Sequence, residues 1–159
     1  MNTQGRFYQA MQQAVSQTLE NMVFLEVMAH PDKTYSMPED ETVWASLLIN
    51  DPVQGELVLA MPHNTLEKFT GNIFGMTEEE LTETQKHDIL NELLNTIAGL
   101  FMTTLLAHDQ QYKLGLPAIG NGKFTPPDTD TLVWKLITSD DDPLEIRATG
   151  APLIALQNQ

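Results

Sequence analysis

Apolar residues return every three to four positions from Leu90 to Leu105. Leu90, Leu93, Leu94, Ile97, Leu100, Phe101 and Leu105 share one broad arc at helical periodicity. Thr82, with Gln85 three residues on, has the form of a capping box, so a long amphipathic helix is predicted from Thr82 to about His108. The same spacing in Tyr8, Met11, Val15, Leu19 and Met22 predicts a helix from about Gly5 to Met28. A third, shorter helix is predicted from Asn64 to Phe74. β-branched and apolar runs at Thr42–Ile49 and Gln54–Met61 flank turn-forming residues from Asn50 to Gly55, which reads as a hairpin. Thr131–Thr138 and Leu144–Ala148 form a second hairpin across Ser139–Pro143. His30 to Glu41 reads as a loop with room for an edge strand at Thr34–Met37. Gly115 to Pro127 reads as loop-rich, with a strand near its start and a turn at Gly120-Asn-Gly122.

Helix and hairpin thus occur twice. Val43-Trp44 opens one hairpin and Val133-Trp134 the other, and Ser16-x3-Glu20 stands where Asp88-x3-Glu92 stands in the second half. An internal duplication is the expectation, within one domain spanning 1–159 whose halves run from about 5 to 75 and from 82 to 150. Trp44, Trp134 and Phe101 are assigned to the core.

The polar face of the long helix is unusual. Asp88, Glu92, Asn95 and Gly99 succeed one another at steps of four, three and four, which makes one outward row. A merely solvated face favours Lys, Glu and Ala with i,i+4 ion pairs, yet no Lys or Arg occurs between Lys86 and Lys113. Gly within a helix costs about 1 kcal/mol against Ala. A helix that retains Asn95 and Gly99 in mid-span points to a surface kept for contact. The Asn95 amide is no base, but it accepts a hydrogen bond through its carbonyl and donates through its NH2, which suits the positioning of a water. His87 diverges from Glu92 on the wheel and no HExxH spacing exists, so no metal site is predicted. No Ser/His/Asp arrangement or phosphate-loop spacing is recognisable.

Charge and composition narrow the function. The 159 residues carry net charge −14 with only eight Lys and Arg, which argues against nucleic acid and anionic membranes as partners. Cysteine is absent, so disulfides and thiolate chemistry are excluded. Acidic residues interrupt every long apolar run, so a soluble, cytoplasmic chain with neither signal peptide nor membrane span is expected.

The pattern Asp88-x3-Glu92-x2-Asn95-x3-Gly99, followed by Pro117 in Leu-Gly-Leu-Pro-Ala-Ile-Gly, resembles the CheX/CheC/FliY family of bacterial chemotaxis phosphatases, and CheX most nearly. The approach Gly75-Met-Thr-Glu-Glu-Glu-Leu-Thr-Glu and the upstream Gly55-Glu-Leu-Val-Leu-Ala-Met-Pro fit as well, so the likeness extends from about Gln13 to Gly150. The resemblance implies an α+β fold, an antiparallel sheet with two long packed helices and pseudo-twofold symmetry. It implies hydrolysis of the aspartyl phosphate of a CheY-like response-regulator receiver, with Asn95 positioning the attacking water and Glu92 docking on the receiver lysine. Asp88, Gly99 and Pro117 would shape the contact with the substrate. The chain itself would bind no cofactor, because Mg²⁺ comes with the receiver. A homodimer built through a strand edge is implied too. Val23 falls where Asn95 falls in the other half, and Asn21 is out of phase, so one active site per chain is expected. The alternative is a non-catalytic adaptor on the same fold, binding a receiver or flagellar component. No flagellar-switch module follows Gln159, which sets the expectation away from a FliY-type role.

Overall fold

A computed structural model describes residues 5–106, 110–122 and 130–158. The end of the long helix expected at 107–108 and residues 123–127 of the expected loop lie outside these residues. Two long helices, α1 (Arg6–Met22) and α3 (Glu83–Leu105), lie together on one face of a seven-stranded sheet. The strands are β1 (Val27–Ala29), β2 (Thr42–Asp51), β3 (Gly55–Pro62), β4 (Lys113–Leu114), β5 (Ala118–Asn121), β6 (Thr131–Thr138) and β7 (Pro143–Thr149). The shorter helices are α2 (His63–Phe74) and α4 (Ala151–Ile154).

All pairings are antiparallel, in the order β1-β6-β7-β3-β2-β4, with β5 also on β2. The order is palindromic. Each half contributes a long helix, a hairpin and a short border strand, and the halves meet at the β3–β7 seam, where Leu59 pairs with Ile146. β4 and β5 border β2 along most of its outer edge, whereas β1 covers only Leu136, Ile137 and Thr138 of β6.

Alternation along the strands decides which side chains meet the helices. Val43, Ala45, Leu47 and Ile49 of β2, with Leu57, Leu59 and Met61 of β3, face the core. From β6 and β7 come Trp134, Leu136, Leu144, Ile146 and Ala148. Trp134 is fully buried and stacks on Tyr8 at 5.6 Å between ring centroids. Trp44 belongs to the other face, where it is half-buried and pressed onto Gly120. A Cβ at Gly120 would stand 2.0 Å from the indole ring, so only Gly fits opposite Trp44. The assignment of Trp44 to the core is thus corrected. The Val-Trp match between halves is likewise out of phase by one residue, because with period two a one-residue shift exchanges the faces. The duplication is visible in strand order, not in that dipeptide. Gly120 and Asn121 belong to β5, and the turn is made by Gly122 at φ +82°.

The first helix stops sooner than its apolar pattern suggests. Val23 N–H donates to Leu19 O at 2.9 Å, and Phe24 then adopts φ +65°. That left-handed position after a helix usually belongs to Gly, since a Cβ there costs roughly 1–2 kcal/mol. Residues 27–29 leave the helix to pair with β6, which makes β1 the edge strand that was expected at Thr34–Met37. No helix among the described residues is long and apolar enough to cross a membrane.

Candidate functional site

The row is built on α3, and both ends of that helix are fastened. At its start Gln85 N–H donates to Thr82 Oγ1 at 3.1 Å, and Thr82 N–H donates to Gln85 Oε1 at 2.9 Å, which is the capping box expected there. At its end Arg6 Nη2 donates to Thr104 O at 2.6 Å and Leu105 O at 3.0 Å. The guanidinium both satisfies the last carbonyls and places positive charge at the negative pole of the helix. Between these ends Leu90, Leu93, Leu94, Ile97, Ala98, Phe101 and Met102 are buried with almost no exposure. Helix α1 runs antiparallel against α3, with Phe7 and Phe101 meeting edge-to-face at 5.2 Å. Side chains on the opposite face of α3 are therefore carried by a rigid support.

Asp88 and Glu92 are exposed, and Asn95 and Gly99 are half-buried. The helix thus brings the four together as one row. Among the described residues no side chain hydrogen-bonds or ion-pairs with Asp88, Glu92 or Asn95. The nearest cation along the helix is already engaged. Lys86 Nζ lies 2.6 Å from Glu83 Oε1 and 3.8 Å from Glu67 Oε1. Its hydrogen bond to Glu83 holds the ammonium above its ordinary pKa and the Glu83 carboxyl below its own. The carboxylates of the row therefore lack a local counter-charge. A cation brought by a partner would meet them uncompensated.

Gly99 has a neighbour that sequence reasoning missed. The hydroxyl of Tyr112, just before β4, donates to Gly99 O at 3.4 Å and lies 3.3 Å from Thr103 Oγ1. A Cβ at Gly99 would rest 3.5 Å from that hydroxyl, an ordinary contact. The chain's own tyrosine, thirteen residues on, borders this end of the row, and only the fold brings the two together. Pro117 is half-buried in the loop between β4 and β5, beside the almost fully exposed Leu116. Gly99→Ala is expected to fold and to gain up to about 1 kcal/mol, the helix-propensity difference, in thermal melts. Lower stability would show that Tyr112 tolerates no methyl group there.

Asn91 Oδ1 and Thr18 Oγ1 are buried without a hydrogen-bond partner among the described residues. Val23 is fully buried beyond the end of α1, so its position in the first half presents no side chain to solvent; Glu20 and Asn21 are exposed. Among the described residues no three His, Cys, Asp or Glu side chains gather as metal ligands would. The row is a convex helical surface, suited to insertion into a partner's cleft rather than to enclosing a small molecule.

Residues 43–129, more than half of the chain, match the family described as chemotaxis phosphatase CheX. The chain belongs to the CheX family. No curated protein matches it in sequence. Solved structures show the same α+β, CheC-like fold. The CheX chemotaxis protein from Vibrio vulnificus superposes with a TM-score of 0.71 at 14% identity, covering 94% of this chain and 99% of that one. The CheX–CheY–BeF3–Mg²⁺ complex from Borrelia burgdorferi gives 0.69 at 18% identity, with coverage of 90% and 96%. FliY from Thermotoga maritima gives 0.68 at 15% identity, with coverage of 97% and 91%. At these identities the likeness carries the fold, and CheX-family membership rests on the sequence match.

Proposed function

We propose that this chain hydrolyses the aspartyl phosphate of a CheY-like response-regulator receiver. The observation that carries the proposal is the exposed Glu92 and half-buried Asn95, neither engaged by another described side chain, on a fastened helix in a chain of the CheX family. The Borrelia relative solved with CheY and BeF3 supports a receiver as the partner. Asn95 would orient a water in line with the phosphorus–oxygen bond, its carbonyl accepting from the water. Hydrolysis of such an acyl phosphate needs little more than positioning and charge stabilisation. Glu92, one helical turn away, would pair with the receiver's lysine. Asp88 extends the same acidic face, while Gly99 and Pro117 border the contact. Mg²⁺ would arrive with the receiver. A purified chain holding stoichiometric metal of its own would contradict this division of labour.

The direct test follows the decay of a phosphorylated receiver with and without the protein. Unchanged decay, with binding retained, would favour the adaptor reading instead. A homodimer formed at the β1/β6 border would leave α3 free, and light scattering measures it.

Docking through Glu92 has its own signature. Glu92→Lys, Asp40→Lys and Glu41→Lys each change net charge by the same amount, and all three residues are exposed. Bulk electrostatics therefore treats them alike, whereas a specific ion pair does not. Titration with a BeF3-loaded receiver is expected to show at least about a tenfold loss for Glu92→Lys, which is about 1.4 kcal/mol. The two loop variants should stay within about twofold, the scale of rim charges away from a contact. Equal losses at all three would remove Glu92 from the docking role.

A further inference from the structure

The space over Gly99 is bordered by a single described side chain. Tyr112, just before β4, is half-buried and packs its ring against the edge of the core. Its hydroxyl reaches out to α3, 3.4 Å from Gly99 O and 3.3 Å from Thr103 Oγ1. A Cβ built at Gly99 would lie 3.5 Å from that hydroxyl. Apart from the helix backbone and the residues flanking Gly99, no other described atom comes within 4 Å of it. The surface of Gly99 is thus open on every side but the one that Tyr112 closes. A group that settles there meets the hydroxyl. Gly99 follows Asn95 by four residues on the same face, which sets the two positions about 5–6 Å apart. Tyr112 therefore stands at the Gly99 end of the row, one helical turn from Asn95.

The hydroxyl is able to change partner at little cost. Gly99 O is an interior helical carbonyl, paired with the Thr103 N–H of the next turn, so the bond from Tyr112 is a second one. At 3.4 Å it is also long and weak. Turning the proton away orphans no acceptor, and the exposed Thr103 hydroxyl can still donate to the Tyr112 oxygen. A rigid ring with an apolar body and a wet tip is the side-chain type favoured at interfaces. Charge points the same way. Asp88 and Glu92 already bring two anions to the row of a chain with net charge −14. Against an acidic receiver cleft, a neutral donor adds attraction without adding repulsion.

We infer that Tyr112 is a docking residue for the receiver: its hydroxyl turns from Gly99 O to a backbone carbonyl of the receiver that settles on the Gly99 surface beside Asn95. The inference rests on the phosphatase reading given above. Tyr112 touches no reacting atom; it sets KM, not the chemical step.

Tyr112→Phe keeps the ring and removes only the hydroxyl, so the variant is expected to melt as the parent does. With the wild-type chain accelerating receiver dephosphorylation, Tyr112→Phe should raise KM about three- to tenfold, the worth of one neutral hydrogen bond. Kd for the BeF3-loaded receiver should rise by the same factor, and kcat should stay within about twofold. Gly99→Ala puts a methyl group on the same surface and should raise KM too. The double variant should then show less than the product of the two effects, because both act on one contact. Effects that simply multiply overturn the shared contact. An unchanged KM and Kd in Tyr112→Phe, with Asn95→Ala inactive in the same assay, overturns the Tyr112 assignment and leaves the phosphatase reading intact. A lowered kcat at unchanged KM, or a KM rise matched by a lower melting temperature, also overturns it, in favour of a clasp that only holds α3. A wild-type chain that leaves receiver decay unchanged overturns the phosphatase reading, and this inference with it.

Discussion

Asn95→Ala is expected to lower phosphatase turnover by about 10²- to 10³-fold, the usual cost of removing one positioned polar group from a transition state. Stability should move the other way. The Asn95 side chain has no partner among the described residues, so its removal orphans nothing. Ala exceeds Asn in helix propensity by up to about 0.7 kcal/mol. The variant should therefore melt at or above the parent temperature and bind the BeF3-loaded receiver with little change. That combination distinguishes a residue kept for chemistry from one kept for structure. Asn95→Asp is the stricter control. It keeps the shape and an acceptor oxygen, but it loses the NH2 donor and adds an anion one turn from Glu92, so turnover should fall here too. Full activity in either variant would end the assignment of Asn95 as the water-positioning group.

Trp134→Ala should have the largest effect on stability, about 3–5 kcal/mol, as expected when a large aromatic is deleted from a closed core. Trp134 has no exposure, lies 5.6 Å from Tyr8 and 6.0 Å from Phe7 between ring centroids, and donates from Nε1 to Tyr8 O at 3.2 Å. It fixes the first turns of α1 to the sheet. Those turns also carry Arg6, the cap on the motif helix, so loosening should spread to the end of α3. Trp44→Ala should cost about half as much, since its ring is only half-buried on the opposite face. Urea titrations of the two variants measure the difference. Similar midpoints would mean that the two faces of the sheet contribute equally.

What could be read from the sequence follows the reach of each signal. The motif helix was legible because its cap is local and its apolar stripe is long; Thr82 and Gln85 bond as their spacing predicts. Both hairpins were legible from alternation and turn residues, and β2–β3 and β6–β7 pair as expected. The row of Asp88, Glu92, Asn95 and Gly99 was legible for the same reason, since helical geometry alone puts these residues on one face. The end of α1 was not. Helices commonly stop at Gly, whereas this one stops at a phenylalanine inside Met22-Val-Phe-Leu, a run that reads as continuing core. The Tyr112–Gly99 contact depends on tertiary packing that no local pattern encodes. Trp44 was misplaced because a shared dipeptide says nothing about which side of a pleat it occupies.

The pairing of α1 with α3 also has a consequence for synthesis of the chain. Helix α1 leaves the ribosome complete while its partner, more than sixty residues downstream, has yet to be made. At roughly 5–20 residues per second, that interval is on the order of 3–12 s. During it the stripe of Tyr8, Met11, Val15 and Leu19 lacks α3 and the Trp134 strand, which cover α1 in the folded chain. The apolar face of α1 therefore waits for the second half of the chain, and the sheet itself is complete only once β7 arrives to close the β3–β7 seam.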